Sequence, residues 1–112
     1  FEVVTATSKS ERFARAALER AGILEHIDFL GAASNDGVRA KKADVIRYVL
    51  DNVAPKRPLM IGDRTHDYTG AAAFDIPSVA VTWGYGASAE WVEADYVASD
   101  ATELERIIRA AY

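Results

Sequence analysis

Short, continuously apolar runs alternate along this chain with patterns typical of amphipathic helices, and this alternation constrains the fold more than any other feature. The clearest apolar runs are Phe1–Thr7, Leu59–Ile61 and Ser78–Thr82, which predict buried strands because they are rich in β-branched and aliphatic residues. Continuously apolar strands separated by amphipathic helices are typical of a mostly parallel sheet with helices on both faces. The sequence therefore predicts an α/β fold with three α/β/α layers, Rossmann-like, as one domain over residues 1–112.

Local signals delimit the helices between these strands. Ser8 and Glu11 stand three residues apart, as in a capping box, and predict that the first helix begins there. Gly22 stands where a left-handed cap ends a helix. The residues predicted to form the apolar stripe of this helix are Phe13, Ala17 and Ala21, with Ala14 and Leu18 beside them.

The second helix is predicted from about Lys42 to Val53, because its apolar residues follow the spacing of one helical face. The other predicted elements are short strands over 31–34 and near 96–97, a turn at Asn35–Gly37, helices over about His66–Phe74 and Thr102–Ala110, and a glycine-rich loop at Trp83–Gly86.

Composition argues against several classes of function. Thirteen Lys and Arg against 17 Asp and Glu give a net charge of −4, whereas a nucleic-acid or membrane-surface binder needs a concentrated basic face. No apolar run approaches the ~18 residues of a membrane-spanning helix, and the absence of cysteine excludes disulfides and thiolate chemistry. We expect a cytoplasmic protein. Because the chain opens at Phe1 inside an apolar run, we also expect it to be cut from a longer one.

Polar residues follow the predicted strands at the points where the strands end. Thr7 and Ser8 follow the first strand, Asp63 and Asp67 follow the strand at 59–61, and Lys42 opens the second helix. Ligands of open parallel sheets bind at the carboxyl ends of the strands. Hydroxyl and ammonium groups donate to phosphate oxygens, and paired carboxylates suit Mg²⁺. The pattern therefore predicts a site for a phosphate and a hard cation.

Several of these residues also have an ordinary structural explanation. Asp67 lies in the first turn of a helix, where the helix dipole alone favours an acid. Ser8 is expected to cap a helix, and Lys41 and Lys42 are typical of a solvated helix start. Asp63 is harder to explain in this way, because a carboxylate directly after an apolar strand is costly unless it is paired or bound to metal.

Four segments together resemble the carboxyl-terminal part of haloacid-dehalogenase-like (HAD-like) phosphatases, most closely the phosphoglycolate-phosphatase-like branch. The segments are VTATSKS, RAKKADVIRYVL, LMIGDRTHDYTGA and SVAVTWGYG, and the resemblance extends over essentially all 112 residues in the family's order. GDRTHDYTGA is the most specific of them.

The resemblance implies a Mg²⁺-dependent phosphatase acting on a small phosphorylated metabolite. It implies that Thr7 hydrogen-bonds the transferring phosphoryl group with Ser8 beside it, and that Lys42, or the lysine before it, steadies the charge of nucleophile and phosphate. Asp63 and Asp67 match the acids that hold Mg²⁺. Such a site acts by positioning and by neutralising charge.

The sequence departs from the family pattern at the attacking group. The family's nucleophile and general acid belong to an Asp-x-Asp-Gly-Thr stretch, which is absent from these 112 residues, as is the cap domain. Because the covalent step needs that carboxylate, we expect the parent protein to be active and this chain alone to be inactive. The family's nucleophile strand lies between the strands matching Phe1–Thr7 and Leu59–Asp63. Without it we expect direct pairing of those strands, self-association through exposed strand edges, or a segment missing from this chain.

Other functions fit the same residues less well. A phospho-acceptor receiver module has its acids before its Thr and Lys, the reverse of the order here. A phosphomutase or phosphotransferase of the same family, and a non-catalytic binding module, stay open. Arg39, Trp83 and Tyr85 are candidates for lining a substrate site, but they do not identify the substrate.

Overall fold

The computed structural model describes residues 1–111, and the chain divides into two compact units, Phe1–Lys56 and Arg57–Tyr112. The elements of the first unit are β1 (Thr7–Ser10), α1 (Glu11–Ala21), a 3₁₀ turn (Leu24–His26), β2 (Ala32–Ala33) and α2 (Lys42–Val53). Those of the second are β3 (Met60–Gly62), α3 (Thr65–Ala72), β4 (Ser78–Val81), a 3₁₀ turn (Ser88–Glu93), β5 (Tyr96–Ala98) and α4 (Ala101–Ala111). The prediction of a single domain stays a prediction.

Strands pair in parallel in both units, which confirms the predicted α/β class. The first unit pairs β1 with β2, and the second has the order β3-β4-β5. Each sheet takes its strands from one unit. Direct pairing of the segments matching Phe1–Thr7 and Leu59–Asp63 stays a prediction. Among residues 1–111, no helix has the length and apolarity needed to cross a bilayer.

The first strand begins later than its apolar run predicted. An isolated bridge joins Val4 to Phe29, and the Thr7 N–H donates to the Gly31 carbonyl at 3.1 Å, but the regular strand covers Thr7–Ser10. The extended segment therefore pairs with residues 29–31 before β1 itself pairs with β2.

Two predictions for α1 are wrong. The cap residue is Ser10 rather than Ser8, because β1 continues to Ser10 and the helix can begin only at Glu11. The predicted apolar stripe is also misplaced, since Phe13 is 61% exposed while Ala14, on the adjacent stripe, is buried. The predicted end is confirmed, because Gly22 adopts a left-handed φ of 75° and its N–H donates to the Glu19 carbonyl at 3.0 Å.

Helix α2 has the predicted bounds, Lys42–Val53, and buries Val45, Ile46 and Val49. Helix α3 begins at Thr65, one residue before the predicted start, and ends at Ala72, two residues before the predicted end. Its small residues Gly70 and Ala71 are buried, as expected for a helix lying close to a sheet. The first turn of α2 and the first turn of α3 each carry a residue predicted to belong to the functional site.

Candidate active site

In the first unit, the structure brings Lys42 and Thr7 to one place. Lys42 is the first residue of α2, and its ammonium donates a hydrogen bond to the carbonyl of Ala6. Ala6 directly precedes Thr7, which opens β1 and whose hydroxyl accepts the N–H of Lys9 at 3.1 Å. A positive charge therefore lies beside the residue that carries the predicted phosphate-binding hydroxyl.

The two neighbours of these residues are placed differently. Lys41 is the exposed cap residue of α2, and it is Lys42 that donates to the Ala6 carbonyl. Ser8 is an exposed residue within β1, so it does not cap α1. Of the two lysines, Lys42 is thus the one whose ammonium reaches the end of the first extended segment.

Arg39 is an anchor for the segment that leads into α2. Its Nε donates to the Ala32 carbonyl at 2.9 Å, its Nη2 pairs with the Glu11 carboxylate, and its guanidinium lies 3.6 Å from the centre of the Tyr48 ring. These contacts join α1, β2 and α2 just before Lys42. The sequence suggested Arg39 as a substrate contact, whereas its guanidinium is engaged within the first unit.

In the second unit, a glycine-rich loop closes over Asp63. Asp63 directly follows β3, and its Oδ2 accepts the N–H of Tyr85 at 2.7 Å. A Cβ at Gly84 would lie 2.2 Å from the Asp63 Cβ, and one at Gly86 would lie 1.7 Å from the Asp63 carbonyl oxygen. The backbone can come this close only because both residues lack a side chain. We call residues 83–87 the Asp63 loop.

Asp67 is buried, with 6% of its surface exposed, and caps its own helix. Its Oδ2 accepts the backbone N–H groups of Asp63 at 3.1 Å and Arg64 at 3.2 Å. A Cβ at Gly62 would lie 2.3 Å from the same oxygen. Asp67 thus has the structural role expected of an acid in the first turn of a helix. The same hydrogen bonds fix its carboxylate to the backbone that carries Asp63.

Tyr68 lies fully buried beneath these acids. Its hydroxyl donates to the Gly62 carbonyl at 3.1 Å. Burial, followed by the negative charges of Asp67, Asp63 and Glu90, raises the pKa of Tyr68 to about 12. The phenol is thus neutral at physiological pH and acts as a hydrogen-bond donor to the end of β3.

Glu90 is a residue of this region that no pattern in the sequence indicated. Its Oε1 accepts the N–H of Thr65 at 2.9 Å, the hydroxyl of Thr65 at 3.0 Å and the Nε of Arg64 at 3.2 Å, while its Oε2 accepts the N–H of Ala87 at 3.0 Å. The backbone bonds from Thr65 and Ala87, followed by those from the Arg64 and Thr65 side chains, lower the pKa of Glu90 to about 2. No local signal marks it, because Thr65 and Glu90 are 25 residues apart.

The second unit offers two carboxylates, Asp63 and Asp67, near the end of β3. Among residues 1–111, no three His, Cys, Asp or Glu side chains are grouped so that they could hold a metal. Mg²⁺ is usually bound by one or two carboxylates, with water and phosphate completing its shell. The Asp63 carboxylate uses Oδ2 for Tyr85, and its Oδ1 accepts no hydrogen bond from the described part of the chain.

Comparison with known proteins identifies one family and several similar structures. A model of the HAD-hydrolase-like family matches residues 9–104. The crystal structure of a predicted phosphatase from Clostridium acetobutylicum superposes with a TM-score of 0.92 at 35% identity, covering 98% of this chain and 53% of that one. The structure of protein tyrosine kinase A (PtkA) from Mycobacterium tuberculosis gives a TM-score of 0.77 at 37% identity, covering 96% and 52%.

Curated relatives carry the names of two activities. The tyrosine-protein kinase PtkA of M. tuberculosis is 45% identical over 86 residues, which are 75% of this chain and 30% of that protein. A 5′-nucleotidase of Pseudomonas aeruginosa is 36% identical over 87 residues, covering 76% and 39%. The chain thus spans about half the length of the solved structures and roughly a third of the curated relatives.

Glu90 is expected to make stability depend on pH in the acid range. A carboxyl whose pKa is about 2 in the folded chain, below its ordinary 4.5, stabilises the fold above pH 4.5, and this contribution is lost as pH falls from about 4.5 to about 2. Glu90→Gln should therefore unfold at lower urea concentration than wild type at pH 7, and the difference should shrink across that window.

Glu93→Gln is the matched control, because Glu93 is exposed on the same 3₁₀ turn. Its urea midpoint should follow the wild type at every pH. If the difference in urea midpoint between Glu90→Gln and wild type stays constant from pH 7 to pH 3, the lowered pKa of Glu90 does not contribute to stability.

Proposed function

The chain belongs to the HAD-hydrolase-like family, and on that premise we propose that it provides phosphate- and metal-binding residues of a Mg²⁺-dependent phosphatase of the phosphoglycolate-phosphatase-like branch. The substrate is a small phosphorylated metabolite, from which a phosphoryl group passes to water. The observation that carries the proposal is the Asp63 loop, which fixes a carboxylate at the end of β3 while leaving its Oδ1 outside the hydrogen bonds of residues 1–111.

The first unit supplies groups suited to a phosphate. The Lys42 ammonium, at the carbonyl of Ala6, neutralises negative charge, and the Thr7 hydroxyl donates to a phosphoryl oxygen. Ser8, exposed in β1, adds a second hydroxyl and its backbone N–H. These are the electrostatic tasks that phosphoryl transfer demands of a protein.

The second unit supplies the metal ligands. Asp63 and Asp67 would hold Mg²⁺, the bound ion supplying charge neutralisation and orientation for the phosphoryl group. Backbone N–H groups already hold Oδ2 of both carboxylates, so neither has to be ordered when the ion arrives. This pre-arrangement lowers the entropy lost on binding.

The 112 residues contain no Asp-x-Asp-Gly-Thr stretch, so the attacking carboxylate of the proposed reaction does not come from this sequence. The isolated chain is therefore proposed to bind phosphate and Mg²⁺ without turning over substrate. A cytoplasmic location and self-association through strand edges are further parts of the proposal.

Two exposed aromatic residues of the Asp63 loop favour a second candidate, hydrolysis of nucleoside monophosphates. Tyr85 is 94% exposed and Trp83 is 54% exposed, and both belong to the Asp63 loop. Aromatic side chains offer stacking surfaces to nucleobases. A relative named 5′-nucleotidase, 36% identical, supports the same direction.

A substrate comparison on the natural protein that contains this sequence separates the two candidates. If the rings stack on a base, Tyr85→Ala should raise KM for AMP several-fold and leave KM for phosphoglycolate unchanged. Val92→Ala, an exposed substitution in the following turn, is the control. Equal effects of Tyr85→Ala on both substrates would contradict the nucleotide candidate.

Magnesium binding should depend on Asp63. In a titration of the ¹⁵N-labelled chain with MgCl₂, the amides of Asp63 and Asp67 should shift, and Asp63→Asn should weaken binding on the order of tenfold or more because one ligand charge is lost. Asp75→Asn is the matched control, since Asp75 is exposed and its φ of 57° suits Asn. An Asp63→Asn chain that binds Mg²⁺ like wild type would refute the assignment.

Phosphate binding should depend on Lys42 and not on Lys41. Titration with inorganic phosphate should shift the amides of Thr7 and Ser8 in the wild type, and Lys42→Met should remove the shifts because the charge beside Ala6 is gone. Lys41→Met, one residue away at the exposed cap position, should keep them. Loss of the shifts in Lys41→Met alone would reverse the assignment of the two lysines.

A further inference from the structure

Two separate segments enclose Asp63, and one carboxylate joins them. Arg64 and Thr65 follow Asp63 directly, and the Asp63 loop covers it from the other side. Through Oε1 Glu90 holds the first segment, and through Oε2 it holds the Ala87 N–H at the end of the second. Among residues 1–111, the Glu90 side chain makes hydrogen bonds only with Arg64, Thr65 and Ala87, so its influence on Asp63 passes through these segments.

The geometry around Asp63 tolerates little displacement of the loop. The Tyr85 N–H reaches the Asp63 Oδ2 at 2.7 Å only while Gly84 and Gly86 lie against Asp63 with no room for a Cβ. Donor and acceptor of an N–H···O bond lie about 2.7–3.2 Å apart and no bond remains at about 3.6 Å, so a shift of the loop by about 1 Å breaks it. The orientation of the Asp63 carboxylate is therefore coupled to whatever fixes the loop.

We propose that Glu90 is a positioning residue for Asp63: by holding Arg64–Thr65 and Ala87 together, it keeps the Asp63 loop closed and fixes the direction of the Asp63 carboxylate. Its relevance to metal binding rests on the function proposed above. Residues that orient metal ligands without touching the metal change metal affinity by about 10–100-fold when they are altered.

The chemistry of the contact explains why a carboxylate is required. All four partners of Glu90 are donors, two backbone N–H groups, one hydroxyl and one guanidinium nitrogen. A carboxylate offers acceptor oxygens in both directions, whereas a glutamine offers one oxygen and one NH₂ group. Glu90→Gln keeps the size of the side chain, but places a donor against either the Thr65 side or Ala87.

The test uses ¹⁵N–¹H spectra of the whole chain, in wild type, Glu90→Gln and the control Glu93→Gln. The readout is the Tyr85 amide proton, which reports its hydrogen bond to Asp63 without any metal. In Glu90→Gln this proton should move upfield and Mg²⁺ affinity should fall about tenfold, while the β4 amides of Val79 and Ala80 keep their positions. Glu93→Gln should match wild type in all three respects.

Each outcome decides the inference. An unchanged Tyr85 amide in a folded Glu90→Gln chain overturns it, even if thermal stability falls. If the wild-type chain does not respond to Mg²⁺ at all, the proposed magnesium site is wrong, and the Tyr85 amide alone then decides whether Glu90 positions Asp63. If Glu90→Gln does not fold, Thr65→Val, which removes one donor of the four, should shift the Tyr85 amide in the same direction, and no shift overturns the inference.

Discussion

The second unit depends on the close approach of the Asp63 loop to the aspartate at the end of β3. Parallel pairing of β3 with β4 brings the residues after both strands to the same sheet edge. Glycines at 84 and 86 then let the backbone lie against Asp63, so that the Tyr85 N–H meets its carboxylate. A carboxylate at the end of an apolar strand is costly unless it is paired, and the Tyr85 N–H supplies a hydrogen bond that lowers this cost.

Asp67 and Tyr68 complete this arrangement from the helix that follows. Asp67 accepts the N–H groups of Asp63 and Arg64, and Tyr68 donates to Gly62. The turn between β3 and α3 is therefore fixed by side chains of the helix it introduces. In the first unit, Arg39 has a comparable place, because its contacts with Glu11, Ala32 and Tyr48 fix the segment that leads to Lys42.

Features set by local or periodic patterns could be predicted from the sequence. The bounds of α2 follow from apolar spacing, the left-handed end of α1 follows from Gly22, and the positions of Asp63 and Lys42 at element ends follow from strand–helix alternation. The predicted start of α1 was wrong because β1 extends to Ser10, which pairs with Ala33, 23 residues further along the chain, and this pairing overrides a local capping signal.

Long-range hydrogen bonds explain why the structural roles of Glu90 and Arg39 could not be predicted. Glu90 and Arg39 hold partners 25 and 28 residues away, at Thr65 and Glu11, and neither contact leaves a pattern in the intervening sequence. The exposed Phe13 shows the limit of periodicity in another way, because two adjacent stripes of α1 are apolar and spacing alone does not say which one is buried.

The central claim is that Asp63, held by its glycine-rich loop, is a ligand of a divalent cation. Diffraction from crystals grown with MnCl₂ in place of Mg²⁺, recorded at a wavelength where manganese scatters anomalously, tests it most directly. An anomalous peak bonded to the Asp63 carboxylate, with Asp67 beside it, is the expected result. A peak elsewhere on the molecule, or none at Asp63 at saturating Mn²⁺, would contradict it.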